Sequence, residues 1–234
     1  MNPIRTRLET VRERIRRAER LYGREPGSVK LLAVSKTRSA SDLLQAMQSG
    51  QRLFGESYLQ EALEKMRELD QQDAEWHYIG RIQSNKTRLI AENFDWVHSV
   101  DKPSLARRLN DQRPGNLPPL HICLQVKLDQ EETKGGLTPE QTAELAALCR
   151  EFPRLRLRGL MTLPAVAEGL AAQRRPFQQL HRLMARLNTP ENPLDTLSMG
   201  MSGDLEAAIA EGATIVRIGT AIFGPRNRPP CDNR

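Results

Sequence analysis

Leu31-Leu32-Ala33-Val34-Ser35-Lys36-Thr37 is a short apolar run that ends in a polar turn carrying a lysine. A run of this length, bounded by turn residues, is the pattern of a strand covered on both faces. The same unit recurs along the chain at Arg52 to Phe54, Trp76 to Ile79, Trp96 to Ser99, Leu120 to Lys127, Leu157 to Met161, Thr196 to Ser198 and Thr214 to Ile218. With Leu31 to Ser35 as the first, that makes eight candidate strands. Helical patterns fill the intervals. Ser39 precedes Asp42 by three and opens a helix that stops at Gly50, and Thr138-Pro139-Glu140-Gln141 is a capping box with proline at the first helical position. A last inter-strand helix begins near Ser202, carries Leu205, Ala208 and Ile209 on one face, and ends at Gly212. Strands alternating with helices predict a parallel α/β architecture. Eight of them within 234 residues, with no low-complexity linker, fit one closed (β/α)8 TIM barrel better than a doubly wound sheet. An open flavodoxin-like or Rossmann sheet is the alternative, but no candidate strand is followed by GxGxxG.

Composition narrows the function classes. The chain is 38% hydrophobic, enough for a sizeable core, and no stretch reaches the roughly 18 continuous apolar residues of a membrane span. The first twenty residues lack the apolar segment of a secretory signal, so a soluble, cytoplasmic protein is expected. Cys123, Cys149 and Cys231 are odd in number and show no metal-ligand spacing, which indicates neither a disulfide framework nor a metal site. The net charge of +6 raises nucleic acid as a partner. Residues 1–30 hold nine Lys/Arg against four Glu, so nearly all of the excess lies there. In that stretch Ile4, Leu8, Val11, Ile15, Ala18 and Leu21 recur at helical spacing, and Glu13 stands four residues before Arg17. The charges read as the solvated face of an amphipathic helix. Base-stacking aromatics are absent there, and no nucleic-acid partner is expected. The polar, proline-bearing end, residues 227–234, is expected to be a mobile tail after a barrel domain at 1–226.

Functional groups of such a barrel sit where strands run out at their carboxyl ends. Lys36 stands at that point of the first strand. A partly buried lysine has its ammonium form disfavoured and its amine made nucleophilic, which suits a Schiff base with a carbonyl compound; an ordinary surface lysine is the other reading. Ser198-Met199-Gly200-Met201-Ser202-Gly203-Asp204 and Arg217-Ile218-Gly219-Thr220 follow strands seven and eight. Their glycines and hydroxyls permit an anion to approach backbone N–H groups, in the two loops that commonly hold phosphate in barrels. Ser202 as a plain helix cap and Gly219 as a turn form the alternative. An amine reagent facing a phosphate cradle describes pyridoxal 5'-phosphate, which carries an aldehyde and a phosphate.

LLAVSKT at 31–37, FGE at 54–56, WHYIG at 76–80, QSNK at 83–86, RGLMT at 158–162, GMSGDLEAAI at 200–209 and VRIGTAIFG at 216–224 occur in that order. On these motifs the chain resembles the pyridoxal phosphate homeostasis protein family, whose barrel is related to the N-terminal domain of bacterial alanine racemase. The resemblance implies a fold-type III barrel that binds pyridoxal 5'-phosphate (PLP), with Lys36 forming the Schiff base. It implies that Ser202, Gly219 and Thr220 hold the phosphate and that Arg217 faces the pyridine nitrogen. A guanidinium keeps its proton, leaves that nitrogen unprotonated, and so weakens the cofactor as an electron sink. His77, Asn85 and Lys86 are secondary candidates, as core or helix-start residues or as cofactor contacts. Met201 and Met161 are candidates to pack on the ring or to fill the core. The family pattern has asparagine where this chain has Ser57, so a contact made by that amide is not carried over. The implied role is storage, buffering or delivery of PLP, with an indirect effect on amino-acid and keto-acid balance, rather than turnover. Racemases of this fold use a second acid-base group from an added domain. Here Tyr22, Tyr58 and Tyr78 all precede the middle of the barrel, and the chain ends about ten residues beyond the strand-eight loop. A monomer with PLP-dependent apoenzymes as recipients is the expected assembly. A weakly active racemase-like enzyme is the alternative.

Overall fold

The computed structural model describes residues 3–70, 73–128 and 135–225. The tail expected at 227–234, the domain boundary at 226 and Cys231 lie outside the described residues. In chain order the elements are α1 (Pro3–Leu21), β1 (Lys30–Val34), α2 (Ala40–Gln48), β2 (Leu53–Glu56), α3 (Leu59–Glu68), β3 (Glu75–Tyr78) and, after a 3-10 turn at Ser84–Lys86, α4 (Thr87–Asn93). They continue with β4 (Trp96–Val100), α5 (Pro103–Gln112), β5 (Leu120–Gln125), α6 (Pro139–Arg150), β6 (Leu155–Met161) and α7 (Leu170–Leu187). The chain closes with β7 (Thr196–Ser198), α8 (Leu205–Ala210), β8 (Ile215–Ile218) and α9 (Thr220–Phe223). The strands form a closed barrel in sequence order, parallel throughout. Closure is made by β1 on β8, with Leu31 opposite Val216 and Ala33 opposite Ile218.

The local signals act as their chemistry requires. Ser39 and Thr138 each accept the third helical N–H, while Asp42 and Gln141 return the bond to the cap backbone. Most strand ends shift by one or two residues from the sequence expectation, and two boundaries have a visible local setting. β5 stops at Gln125, after which Val126 still donates its N–H to the Met161 carbonyl of β6 while it bridges Leu137. α8 starts at Leu205 rather than Ser202, because residues 202–204 form a turn closed by the Asp204 N–H donating to the Met201 carbonyl.

The main core lies between strands and helices, and α1 belongs to it: Ile4, Leu8, Val11, Ile15 and Ala18 are all buried, whereas Leu21, the last residue of the helix, is exposed against expectation. The basic face of that helix is paired locally. Arg14 reaches Glu206 of α8, and Glu13 takes Arg16 and Arg20 rather than Arg17. No described helix is long and apolar enough to cross a membrane. Trp96, Cys123 and Met161 form a second, smaller buried cluster. Beside it lies a polar lumen, since His98 of β4 meets Ser198 of β7, two strands that are not neighbours in the sheet.

Candidate functional site

Lys36 leaves the barrel two residues after β1 ends, and the backbone on both sides of it is clamped. Before it, the buried Ser35 donates its hydroxyl to Glu56 Oε1 at 2.7 Å, and Lys65 Nζ donates to the Ser35 carbonyl at 2.8 Å. Lys65 also donates to Glu56 and Glu61. Burial pushes the Glu56 carboxyl up against the pull of Lys65, and Glu56 Oε2 has no hydrogen-bond partner among the described residues. After Lys36, Thr37 donates its N–H to Glu61 Oε1 at 2.6 Å and sits at a φ of 62°, the only described non-glycine residue with positive φ. A β-branched residue there is strained, and surrounding structure has to impose it.

The loops after β7 and β8 face Lys36. Gly200 has a φ of +93°, and a Cβ at this position would fall 2.6 Å from the Ala208 methyl, so both conformation and space require glycine. That turn lets Asp204 Oδ1 accept the Met201 N–H at 2.6 Å, and Arg14 holds the Ser202 carbonyl from outside. After β8, the Gly219 carbonyl accepts from Ile222 and Phe223, which starts α9. The N–H groups of Thr220 and Ala221 then fall in its first turn, where no intrahelical acceptor exists. Arg217, buried on β8, donates from Nη1 to Ser198 Oγ at 2.8 Å and from Nη2 to the Thr162 carbonyl at 2.8 Å. Burial lowers the guanidinium to about 10, which leaves it a cation at neutral pH.

These residues enclose a cavity of about 330 Å³ at the carboxyl ends of the strands. Lys36, Met161, Met201, Ser202, Arg217, Gly219 and Thr220 all line it, as do Ser57 and Arg38. Among the described residues its charged lining consists of Lys36, Arg38 and Arg217, with no acidic side chain. Such a cavity, in the size range of small-molecule sites, favours an anionic ligand that reacts with an amine.

His77 and Asn85 do not line that cavity. His77 is wholly buried in the lumen, with Nε2 2.8 Å from Glu75 Oε1 and Nδ1 2.9 Å from His98 Nε2, and it stacks on Trp96. Asn85 is exposed in the 3-10 turn at Ser84–Lys86. Lys86 lines a wider neighbouring cavity of about 1000 Å³ that also includes Lys36, Arg81 and Lys102. Sequence reasoning missed Arg38, although it stands only two residues beyond Lys36; its guanidinium is held by the Gly224 and Pro225 carbonyls. It also missed Ser198 and His98, whose spacing of 100 residues carries no local signal.

The family model for the alanine racemase N-terminal domain matches residues 6–227. The pyridoxal phosphate homeostasis protein of Pseudomonas aeruginosa is 53% identical over 227 residues, covering 97% of each chain. The protein of the same name from Escherichia coli strain K12 is 50% identical over 230 residues, covering 97% of this chain and 98% of that one. Among solved structures, PipY of Synechococcus elongatus with PLP bound is 38% identical with a TM-score of 0.84, covering 94% of this chain and 100% of that one. An alanine racemase of Clostridium difficile, 14% identical with a TM-score of 0.72, covers 99% of this chain and 58% of that one and shares the fold. Its closed barrel, its sequence relatives and its family match together make this chain a member of the pyridoxal phosphate homeostasis protein family.

Proposed function

We propose that this protein binds pyridoxal 5'-phosphate reversibly and serves its homeostasis in the cytoplasm, by storage, buffering or delivery, with amino-acid and keto-acid balance affected indirectly. The observation that carries this reading is the cavity whose charged lining, among the described residues, is entirely cationic and which sets the Lys36 amine against the Gly219-Thr220 helix start. A phosphate ester with an aldehyde matches that lining in charge and in reactivity. The PLP-bound PipY structure supports the same assignment. When bound, the cofactor supplies an aldehyde to which amines add reversibly.

The chain's own groups divide the work. Lys36 presents the primary amine. Ser202, Gly219 and Thr220 offer hydroxyl and backbone donors to the phosphate, and the Arg38 cation lies in the same lining. Arg217 keeps its proton and donates toward the ring nitrogen. Met161 and Met201 pack against the ring. Tyr78 is no base for proton abstraction: burial pushes its phenol up to about 12, and its hydroxyl donates to the Arg81 carbonyl at 3.1 Å. These features favour a carrier over a racemase. The relatives' names, which give homeostasis and no reaction, agree. We infer a monomer that passes the cofactor by amine exchange to PLP-dependent apoenzymes.

Adding PLP to the purified protein is expected to produce a yellow absorption band, and borohydride is expected to fix the cofactor on the peptide that contains Lys36. A label on any other lysine overturns the assignment. Solvent-deuterium incorporation at an amino-acid α-carbon above the rate of free PLP overturns the carrier reading.

A further inference from the structure

Four hydrogen bonds join five side chains into a column through the barrel lumen. Arg217 Nη1 lies 2.8 Å from Ser198 Oγ, which lies 2.7 Å from His98 Nδ1. His98 Nε2 lies 2.9 Å from His77 Nδ1, and His77 Nε2 lies 2.8 Å from Glu75 Oε1. Arg217 lines the cavity at the carboxyl ends of the strands. Glu75 is the first residue of β3 and opens on a separate cavity of about 460 Å³ at their amino ends. The column therefore runs from one mouth of the barrel to the other.

Donor and acceptor chemistry leaves it one direction. Glu75 is an ionised carboxylate, held below its usual range chiefly by the His77 hydrogen bond, so it only accepts. Burial keeps both imidazoles neutral, and a neutral imidazole has one donor nitrogen and one acceptor. His77 must then donate from Nε2 and accept at Nδ1. His98 donates from Nε2 to it and accepts at its own Nδ1. Ser198 gives its hydroxyl proton to His98 and accepts from Arg217. Every bond points from the cation towards the carboxylate, and each polarises the next.

Stability offers no reason for this arrangement, because an apolar lumen of equal volume is commonly as stable as a buried polar chain. We propose that Glu75, His77 and His98 are positioning residues for the cofactor site: the one-way chain of donors fixes the orientation of Arg217 and its donor strength toward the ring nitrogen from the opposite end of the barrel. The cofactor half of this inference rests on the PLP reading above, whereas the placement of protons does not.

The test has two arms. In the protein without cofactor, nitrogen-15 NMR of the histidine side chains at pH 7 is expected to find His77 and His98 neutral, each protonated on Nε2. A proton on Nδ1, or an imidazolium at either residue, overturns the column. In the second arm the proteins are loaded with PLP labelled with nitrogen-15 in the ring. Glu75→Gln keeps the volume and an accepting oxygen while removing the charge, and its side chain is 39% exposed, so folding tolerates it. The expected result is a displaced ring-nitrogen resonance in Glu75→Gln and no displacement in Asp73→Asn, which removes a charge at the same mouth from a side chain 98% exposed. Ser198→Ala cuts the chain, and adding Glu75→Gln to it is expected to produce no further displacement. Equal displacement by the two charge removals, or an unmoved resonance in a Glu75→Gln protein that binds PLP, overturns the inference alone. Failure of the wild-type protein to take up PLP overturns the reading on which the cofactor half rests.

Discussion

Gly200 joins two requirements at one α-carbon. Its φ of +93° excludes most side chains, and the Ala208 methyl leaves a Cβ no room. Gly200→Ala is expected to lower unfolding free energy by roughly 3 kcal/mol, strain and overpacking each contributing about 1–3 kcal/mol. Urea unfolding of the two proteins measures this, and a loss under about 1 kcal/mol shows that the turn relaxes freely. The same turn carries Ser202 to the cavity, so PLP retention should fall with stability. Thr37 follows the same logic with the opposite choice of residue, since a threonine is kept at positive φ by a Glu61 carboxylate on its N–H. Lys36 was legible in the sequence because a lysine at the end of an apolar run is a local signal. The strain beside it was not, because it is imposed by α3, a different element.

Helix ends form the next scale, and there two capping boxes allow a comparison. Ser39 and Thr138 make the same reciprocal bonds, yet α2 follows directly from the Lys36 loop while α6 follows residues 129–134, outside the described part of the chain. Ser39→Ala and Thr138→Ala are each expected to cost about 1 kcal/mol. Only the first is expected to speed PLP release, because Ser39 lies three residues from Lys36 on the loop that presents it. Equal release rates in the two variants would remove any special role for the α2 cap. Both boxes were readable in advance, as serine or threonine followed at the third position by a group that returns the bond. The start of α8 was not. Ser202 has the composition of a cap, but Asp204 closes the turn instead, and the choice depended on how residues 200–204 pack between α8 and β8.

Across the molecule, the lumen column ties stability to pH. His77 and His98 are held neutral by burial, so below the ordinary histidine value near 6.5 the unfolded chain binds protons that the folded one refuses. Unfolding free energy is therefore expected to be flat from pH 8 to 7 and to fall as pH drops below about 6.5, by up to about 1.4 kcal/mol per pH unit for each histidine. The lowered Glu75 value adds loss in the same direction below about 4.5. Replacing His98 with glutamine should flatten the curve between pH 6.5 and 5. Denaturant titrations at half-unit steps show whether it does, and an unchanged slope places the titration elsewhere. The basic first helix makes no comparable contribution: Arg14, Arg16 and Arg20 lie in exposed or half-exposed ion pairs that solvent and salt screen.

The sequence by itself determined the order of strands and helices, the buried face of α1, the capped helix starts, the lysine after β1 and the anion-friendly loops after β7 and β8. All of these rest on contacts within a few residues along the chain, where spacing and side-chain chemistry suffice. Tertiary structure alone decided that Lys36 and the Gly219-Thr220 loop share one cavity whose described charged lining residues are all cations, that Asn85 stays outside it, and that His77 serves the lumen instead. It also decided the column from Arg217 to Glu75, whose members come from four strands. Barrel closure brings β4 against β7 across the lumen, and no local pattern records a hydrogen bond between side chains 100 residues apart.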